Sequence, residues 1–219
     1  MDDRSLVAAV QPRLQEVADP AKAGSMAAYM KTEMPFYGVQ KAGRTAILRQ
    51  IRSDFAPDDL QEYEAAVLAL WDLPHREEKY LAIGYARSFE TFISSDSLEL
   101  YEQLIIEGAW WDFVDEIASH LVGRALFKDR GPTEVEVRSW ITSDKMWLRR
   151  TSIISQLRHK ADTDTGLLDD ACTANLADPE FFIRKAIGWA LREYAKTNPD
   201  WVRSYVAAHR DGLSPLSHR

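Results

Sequence analysis

The hydrophobic and polar positions of the chain follow the period of an α-helix along most of its length. Apolar residues recur three and four positions apart, and the strict alternation that indicates a β-strand is absent. The pattern therefore predicts an all-α protein with helices near residues 3–17, 21–32, 41–53, 58–71, 75–89, 97–108, 111–127, 133–142, 146–160, 165–176, 179–196 and 200–209.

Prolines and acidic residues mark several of the predicted helix starts. In Ala56-Pro57-Asp58-Asp59 a proline opens a helix and two acids lie in its first turn, where they favour the helix dipole. Asn198-Pro199-Asp200 has the order of an N-cap and the first two helical residues, and Asp178-Pro179-Glu180 repeats that order. Residues 34–38 interrupt the pattern, and their apolar content predicts a packed turn.

A repeat of about 35 residues runs through the chain. Asp72, Gly108, Ser143 and Asp178 are separated by 36, 35 and 35 residues, and each lies just before or at the start of a predicted helix. Two helices per repeat at this period indicate a helical solenoid of the HEAT type. The predicted fold is a right-handed solenoid of HEAT-like antiparallel helix pairs with a concave cleft, forming a single domain over residues 1–219.

The repeat places one acid among three basic residues at an equivalent position. Lys79, Asp115, Arg150 and Lys185 each lie seven residues into their repeat, and equivalent positions in a solenoid share one surface. If that surface is concave, it forms a basic groove with one carboxylate in it. The alternative is that the basic residues are only the solvated edges of amphipathic helices.

The segment from Gly108 to Asp115 carries the most specific candidate chemistry. Trp111 and Asp115 are four residues apart, so a helix presents the ring and the carboxylate on one face. Such a pair can hold and cleave a cationic substrate. The alternative is an ordinary helix start, in which Asp112 favours the dipole and Trp110 packs into the core.

Composition restricts the remaining functions. Residues 1–140 carry 15 basic and 24 acidic residues, and residues 141–219 carry 12 and 10, so the net charge of −7 does not exclude a local basic surface. A single cysteine, a polar N-terminus and the lack of a membrane-spanning apolar run predict a cytoplasmic protein that does not enter a membrane. No phosphate-binding glycine loop or metal-ligand spacing is present, so we expect no cofactor and no metal.

Six segments, in order along most of the chain, resemble the DNA alkylation repair glycosylases of the AlkD type. They are Tyr29–Lys31, Pro35–Val39, Leu70–Pro74, Trp110–Asp115, Trp147–Arg150 and Phe181–Asp200. The resemblance implies a curved stack of helix pairs that holds duplex DNA in a basic cleft as a monomer. It also implies excision of cationic N3- and N7-alkylated purines, such as 3-methyladenine and 7-methylguanine, without a deep base pocket and without a metal.

The resemblance also assigns roles to individual residues. It implies that Asp115 is the catalytic carboxylate, that Trp111, Trp189 and Tyr29 contact the lesion, and that Arg150 and Arg192 belong to the DNA-binding surface. The repeat register adds Lys185 and Lys79 to that surface. An apolar environment in the helix that holds Trp189 would instead make it a core tryptophan.

Two rival functions stay open at this point. One is a non-catalytic HEAT-like scaffold that binds a DNA structure or a protein partner, because a fold does not fix a function. The other is a helix–hairpin–helix glycosylase, although the sequence shows no glycine-rich hairpin. The family usually continues with a further helix after a Leu-Ser-x-Arg motif, here Leu216 to Arg219, so the last repeat is expected to be poorly capped.

Overall fold

A computed structural model describes the backbone of residues 3–217 and the side chains from Ser5 onwards. All regular structure in this part of the chain is helical, which confirms the predicted all-α class. The residues divide into two compact units between Phe92 and Ile93. The single-domain assignment stays a prediction. Both the polar N-terminal Met1-Asp2 and the end of the Leu-Ser-x-Arg motif, with His218, lie outside the described residues.

The first unit consists of five α-helices and a closing 3-10 turn. The helices are α1 (Asp3–Glu16), α2 (Pro20–Met30), α3 (Lys41–Asp54), α4 (Leu60–Trp71) and α5 (Arg76–Ser88), and the turn spans Glu90–Phe92. Helices α1, α3, α4 and α5 pack around a core that includes Leu14, Ile51, Tyr63 and Leu81.

The segment between α2 and α3 is the packed turn that its apolar residues predict. The fully buried carboxylate of Glu77 accepts hydrogen bonds from the backbone N–H groups of Tyr37 (3.1 Å), Gly38 (2.9 Å) and Val39 (2.9 Å). Gly38 has a φ of +85°, and a Cβ there would lie 2.0 Å from the carbonyl oxygen of Asp19. Only glycine fits this position.

The second unit contains the remaining helices. They are α6 (Leu98–Gly108), α7 (Trp111–Ile117), α8 (Gly123–Lys128), α9 (Arg130–Trp140), α10 (Met146–Ile154), α11 (Thr165–Ala174), α12 (Phe181–Ala195) and α13 (Pro199–Ala208). A π-helical turn, Ala118–Val122, joins α7 to α8, and 3-10 turns span Ser95–Ser97 and Lys160–Asp162. Helix α10 packs against α6, α7, α9, α11 and α12 and so lies at the centre of this unit.

Several predicted helix boundaries are wrong, and a local hydrogen bond from the backbone to an aspartate accompanies two of the differences. Asp59 is the N-cap of α4 and accepts the N–H of Glu62, so Pro57 lies outside the helix. The Asp178 carboxylate accepts the N–H of Glu180 in a turn, and α12 therefore begins at Phe181. The helix predicted at 146–160 ends at Ile154, and that predicted at 133–142 begins at Arg130. The Asn198 cap is confirmed.

The first residues of the helices define the length of the repeat more regularly than the sequence markers do. Helices α5, α7, α10 and α12 begin at Arg76, Trp111, Met146 and Phe181, at constant intervals of 35 residues. Asp115, Arg150 and Lys185, which the sequence placed at equivalent positions seven residues into their repeats, are each the fifth residue of their helix. Lys79 is only the fourth residue of α5, so its register was wrong, and the equivalent residue is Tyr80. The 36-residue step after Asp72 caused this error.

Candidate active site

An open pocket of about 380 Å³ in the second unit brings six of the predicted site residues together. It lies where α7, α10 and α12 meet. The side chains that line it are Trp111, Asp115, Arg150, Phe181, Phe182, Lys185, Trp189 and Arg192.

A bidentate ion pair between Asp115 and Arg150 forms one wall of the pocket. Arg150 Nε donates to Asp115 Oδ1 (2.7 Å) and Arg150 Nη2 donates to Asp115 Oδ2 (2.9 Å). Arg150 Nη1 donates to the carbonyl oxygen of Phe182 at 2.6 Å. Three of the five guanidinium N–H groups are therefore engaged within the protein. The guanidinium fixes the carboxylate and ties α7 and α10 to the start of α12. Its predicted contact with DNA stays a prediction.

The Asp115 carboxylate lies in an environment that disfavours its charge. Its side chain is 17% exposed, and burial raises its pKa, although the hydrogen bonds and charge of Arg150 oppose this shift. The nearby carboxylates Asp112 and Glu116 raise the pKa further. Each carboxylate oxygen still has a lone pair beyond the one that Arg150 occupies, so the group can accept a hydrogen bond from the pocket side.

Helix α12 presents alternating aromatic and cationic side chains to the pocket. Phe181, Lys185, Trp189 and Arg192 are spaced by four, four and three residues and so lie along one face of the helix. Lys185 and Arg192 are exposed, and neither forms an ion pair within the described residues. Trp189 is half-buried and lines the pocket, which is not the position of a core tryptophan.

Two aromatic residues of this pocket were not predicted as site residues. Phe181 is 51% exposed and lies edge-on against Phe182, with ring centroids 5.4 Å apart. Phe182 in turn packs against Trp147 (4.9 Å) and Trp110 (5.6 Å). The repeat could have indicated Phe181 as a site residue, because Phe181 is the first residue of α12 just as Trp111 is the first residue of α7.

Tyr29 and Lys79 belong to the first unit. Tyr29 lies on α2, is 72% exposed, and lines an open pocket of about 320 Å³ with Phe36, Arg44 and Tyr80 among others. Lys79 donates through Nζ to the carbonyl oxygens of Trp71 and Leu73, at the C-terminal end of α4. A cation there complements the helix dipole. The proposed contacts of both residues with DNA stay predictions.

The described residues were also compared with the requirements of a metal site, a cysteine nucleophile and a membrane-spanning helix. Residues 3–217 contain no cluster of three or more His, Cys, Asp or Glu residues that could hold a metal ion. Burial raises the pKa of the Cys172 thiol far above its usual range, which disfavours a nucleophilic thiolate. None of the helices in this part is both long and apolar enough to cross a bilayer.

The family model of the DNA alkylation repair enzymes matches residues 10–219 of this chain. The chain belongs to this DNA alkylation repair family. A solved structure described as a predicted DNA alkylation repair enzyme from Enterococcus faecalis is similar, with 30% sequence identity and a TM-score of 0.81. The similarity covers 92% of this chain and 93% of that chain. No curated protein matches the sequence. Membership of the DNA alkylation repair family supports a role in the repair of alkylation damage.

Proposed function

We propose that this protein is a monofunctional DNA glycosylase that hydrolyses the N-glycosidic bond of cationic N3- and N7-alkylated purines in duplex DNA. One observation carries the proposal: a partly exposed carboxylate, Asp115, lies in an open pocket with two indole rings and two unpaired cations. This combination suits a cationic base attached to an anionic backbone. The predicted monomeric state, cytoplasmic location and independence of metals and cofactors belong to the same proposal.

The chemistry requires only one carboxylate. Alkylation at N3 or N7 makes the purine cationic, so the base leaves with the electron pair of the glycosidic bond and needs no general acid. Positive charge then develops on the deoxyribose ring, and Asp115 stabilises that charge as an ionised carboxylate. Water adds to C1′ of the sugar and gives its proton to Asp115 or to solvent. The products are the free base and an abasic site.

The two indole rings supply attraction for the cationic nucleotide. Trp111 begins α7 and Trp189 lies on α12, and both rings line the pocket that contains Asp115. A cation over an indole face gains about 0.5–2 kcal/mol, depending on its exposure to water. A neutral purine lacks this cation–π attraction, so the rings favour the alkylated base over the ordinary one.

The two unpaired cations supply attraction for the backbone. Lys185 and Arg192 are exposed along the same face of α12, and their charges are not neutralised by acidic side chains in the described structure. Each can neutralise about one phosphate on either side of the lesion. Phosphate contacts position a protein on DNA without reading the base, so they serve damaged and undamaged DNA equally.

Base release from methylated duplex DNA tests the proposal. The wild-type protein in EDTA should release 7-methylguanine or 3-methyladenine and leave abasic sites. Asp115→Asn should lose on the order of 10²-fold in rate, because a main electrostatic term is gone, while DNA affinity holds or rises. A lack of base release, under conditions in which an unrelated alkylpurine glycosylase is active, would exclude the proposed activity.

One observation favours a second candidate function, a non-catalytic DNA-binding scaffold. The Asp115–Arg150 pair resembles a second ion pair between neighbouring repeats, in which Arg149 Nη2 lies 3.0 Å from Asp178 Oδ2. Both pairs could serve only to join helices. A scaffold would bind DNA with the same pocket but release no base, so the rate of base release separates the two functions.

A further inference from the structure

Helix α3, in the first unit, has an exposed side that carries three cations. Four exposed residues, spaced by four, four and three, lie along this side, which we call the α3 face: Lys41, Thr45, Arg49 and Arg52. Helix α3 begins 35 residues before α5, so it belongs to the same series of repeat helices. The four residues are the counterparts of the α12 residues that line the pocket of Asp115.

No acidic side chain neutralises the three cations of the α3 face. None of Lys41, Arg49 and Arg52 forms an ion pair or a side-chain hydrogen bond within the described residues. The sequence of α3 contains one acid, Asp54, and its carboxylate pairs with Arg13 at 3.4 Å. The α3 face therefore keeps three positive charges that are open to solvent.

Two of these cations lie where they lower the stability of the helix. Lys41 is the first residue of α3, and no acid lies in the first turn, so its charge opposes the positive end of the helix dipole. Arg49 and Arg52 are three residues apart, where like charges repel each other. Only Arg52, in the last turn, is favoured by the dipole.

Three exposed cations elsewhere in the chain are compensated locally. In each of them an acid precedes the cation by three residues and forms an ion pair with it: Asp19–Lys22, Glu193–Lys196 and Asp200–Arg203. The α3 face has the same number of exposed cations and none of this compensation. Cations that a helix keeps at a cost to its own stability point to an anionic partner.

An open pocket of about 630 Å³ lies at the C-terminal half of the α3 face. Arg49 and Arg52 line it, together with the serines Ser53 and Ser88 among others. Asp54 also lines the pocket, but its charge is already neutralised by the ion pair with the side chain of α1. A guanidinium donates two parallel N–H groups to phosphate oxygens, so this pocket suits a phosphate group.

We propose that the α3 face is a second surface for the backbone of duplex DNA, on which Lys41, Arg49 and Arg52 each neutralise a phosphate. At 1.5 Å per residue the face is about 17 Å long, which corresponds to about five nucleotides of one strand. It carries no aromatic side chain that could stack on a base, so it suits the backbone. The inference rests on the proposed binding of duplex DNA and adds a surface of the first unit to it.

Binding of undamaged duplex DNA by the full chain, measured by fluorescence anisotropy over a range of salt concentrations, tests the α3 face. The triple variant Lys41→Gln, Arg49→Gln and Arg52→Gln should reduce the log–log salt slope by about 2.7, because each lost phosphate contact removes about 0.9. The affinity at 0.1 M salt should fall on the order of 10²-fold. The double variant Arg49→Lys and Arg52→Lys, which conserves the charge, should keep the wild-type slope.

The melting temperature of Lys41→Gln separates a binding role of this residue from a structural one. Removing a cation from the first turn relieves its repulsion by the helix dipole, so the variant should melt about 1–3 °C above the wild type. Its affinity for DNA should nevertheless fall roughly 5- to 10-fold at 0.1 M salt. A lower melting temperature would overturn the assignment of Lys41, because the cation would then stabilise the fold.

The matched control is the triple variant Lys22→Gln, Lys196→Gln and Arg203→Gln. It removes the same number of exposed positive charges, but each of these cations already has an acid as its partner, so the slope should stay close to that of the wild type. An unchanged slope in the α3 variant, an equal fall in the control, or no binding by the wild type would each overturn the α3 face. Base release is measured separately: a reduced slope without base release supports the α3 face and removes the glycosylase, and base release with an unchanged slope removes the α3 face alone.

Discussion

Replacing Arg150 with alanine would separate a role in holding Asp115 from a role in binding DNA. Three N–H groups of Arg150 donate hydrogen bonds to Asp115 and to the carbonyl oxygen of Phe182, and the side chain is only 5% exposed. If it acts through Asp115, its loss should lower the rate of base release and leave the salt dependence of binding almost unchanged. If it binds a phosphate directly, the salt slope should fall instead.

The structure also sets the size of the stability loss. Removing one member of a buried ion pair typically costs about 3–5 kcal/mol, because the other charge is left without a partner. Asp115 keeps 17% of its side chain exposed, so water can solvate it in part. We therefore expect about 2–3 kcal/mol for Arg150→Ala, which lowers the melting temperature by about 4–12 °C in a protein of this size.

The decisive assay compares single-turnover base release with DNA affinity, well below the melting temperature of the variant. Release from duplexes that contain 7-methylguanine should fall on the order of 10²-fold, because the carboxylate is no longer oriented. Arg150→Lys should recover little of this loss, since an ammonium cannot donate to both carboxylate oxygens in the planar fork geometry. The affinity for undamaged DNA should change much less than the rate.

Arg149→Ala provides the control for stability. Arg149 pairs with Asp178 through Nε (3.1 Å) and Nη2 (3.0 Å), and its pair is buried to a similar degree, but it does not line the pocket. Its removal should lower the melting temperature while base release stays near wild type. The reasoning is refuted if Arg150→Ala releases base at the wild-type rate once bound, while its salt slope drops by about 0.9.

Two further predictions concern the same pocket. Lys185→Ala and Arg192→Ala should each reduce the salt slope by about 0.9, equally on lesion and undamaged duplexes, and an unchanged slope in the double variant would show that this face does not meet the backbone. Because burial raises the pKa of Asp115, single-turnover base release from 7-methylguanine should decline on acidification at a higher pH than an ordinary aspartate would give. If the rate of base release declines only below the usual pKa range of an aspartate, the pKa of Asp115 is not raised and this prediction is contradicted.

The fold was largely predictable because its signals are local. Each helix has an apolar face of its own, and the repeat starts are marked by polar and aromatic residues at nearly constant spacing. The errors lie at helix ends, where a single hydrogen bond decides the boundary. Whether Asp59 caps a helix or joins its first turn depends on the reach of one carboxylate to the N–H of Glu62.

The composition of the pocket was predictable for a related reason. Equivalent positions of consecutive repeats lie side by side, so the register alone placed Asp115, Arg150 and Lys185 near one another. The pairing among them was not predictable. Arg150 can reach the repeat before it or the solvent in front of it, and the choice depends on its side-chain conformation. In the structure it points inward, where three hydrogen bonds to Asp115 and to the carbonyl of Phe182 offset the cost of burying its charge.

The order of charges along these helices shows how the proposed DNA-binding groove can contain a carboxylate. At the fifth position, the sequence of charges is acid, base, base, and the first two neutralise each other through two short hydrogen bonds. The third, Lys185, is exposed and forms no ion pair within the described residues. A lone Asp115 would repel phosphate, and a lone Arg150 would attract phosphate onto the position that we propose as catalytic. Pairing them removes both effects and leaves the net positive charge of the pocket with Lys185 and Arg192, on α12, beside the carboxylate rather than on it.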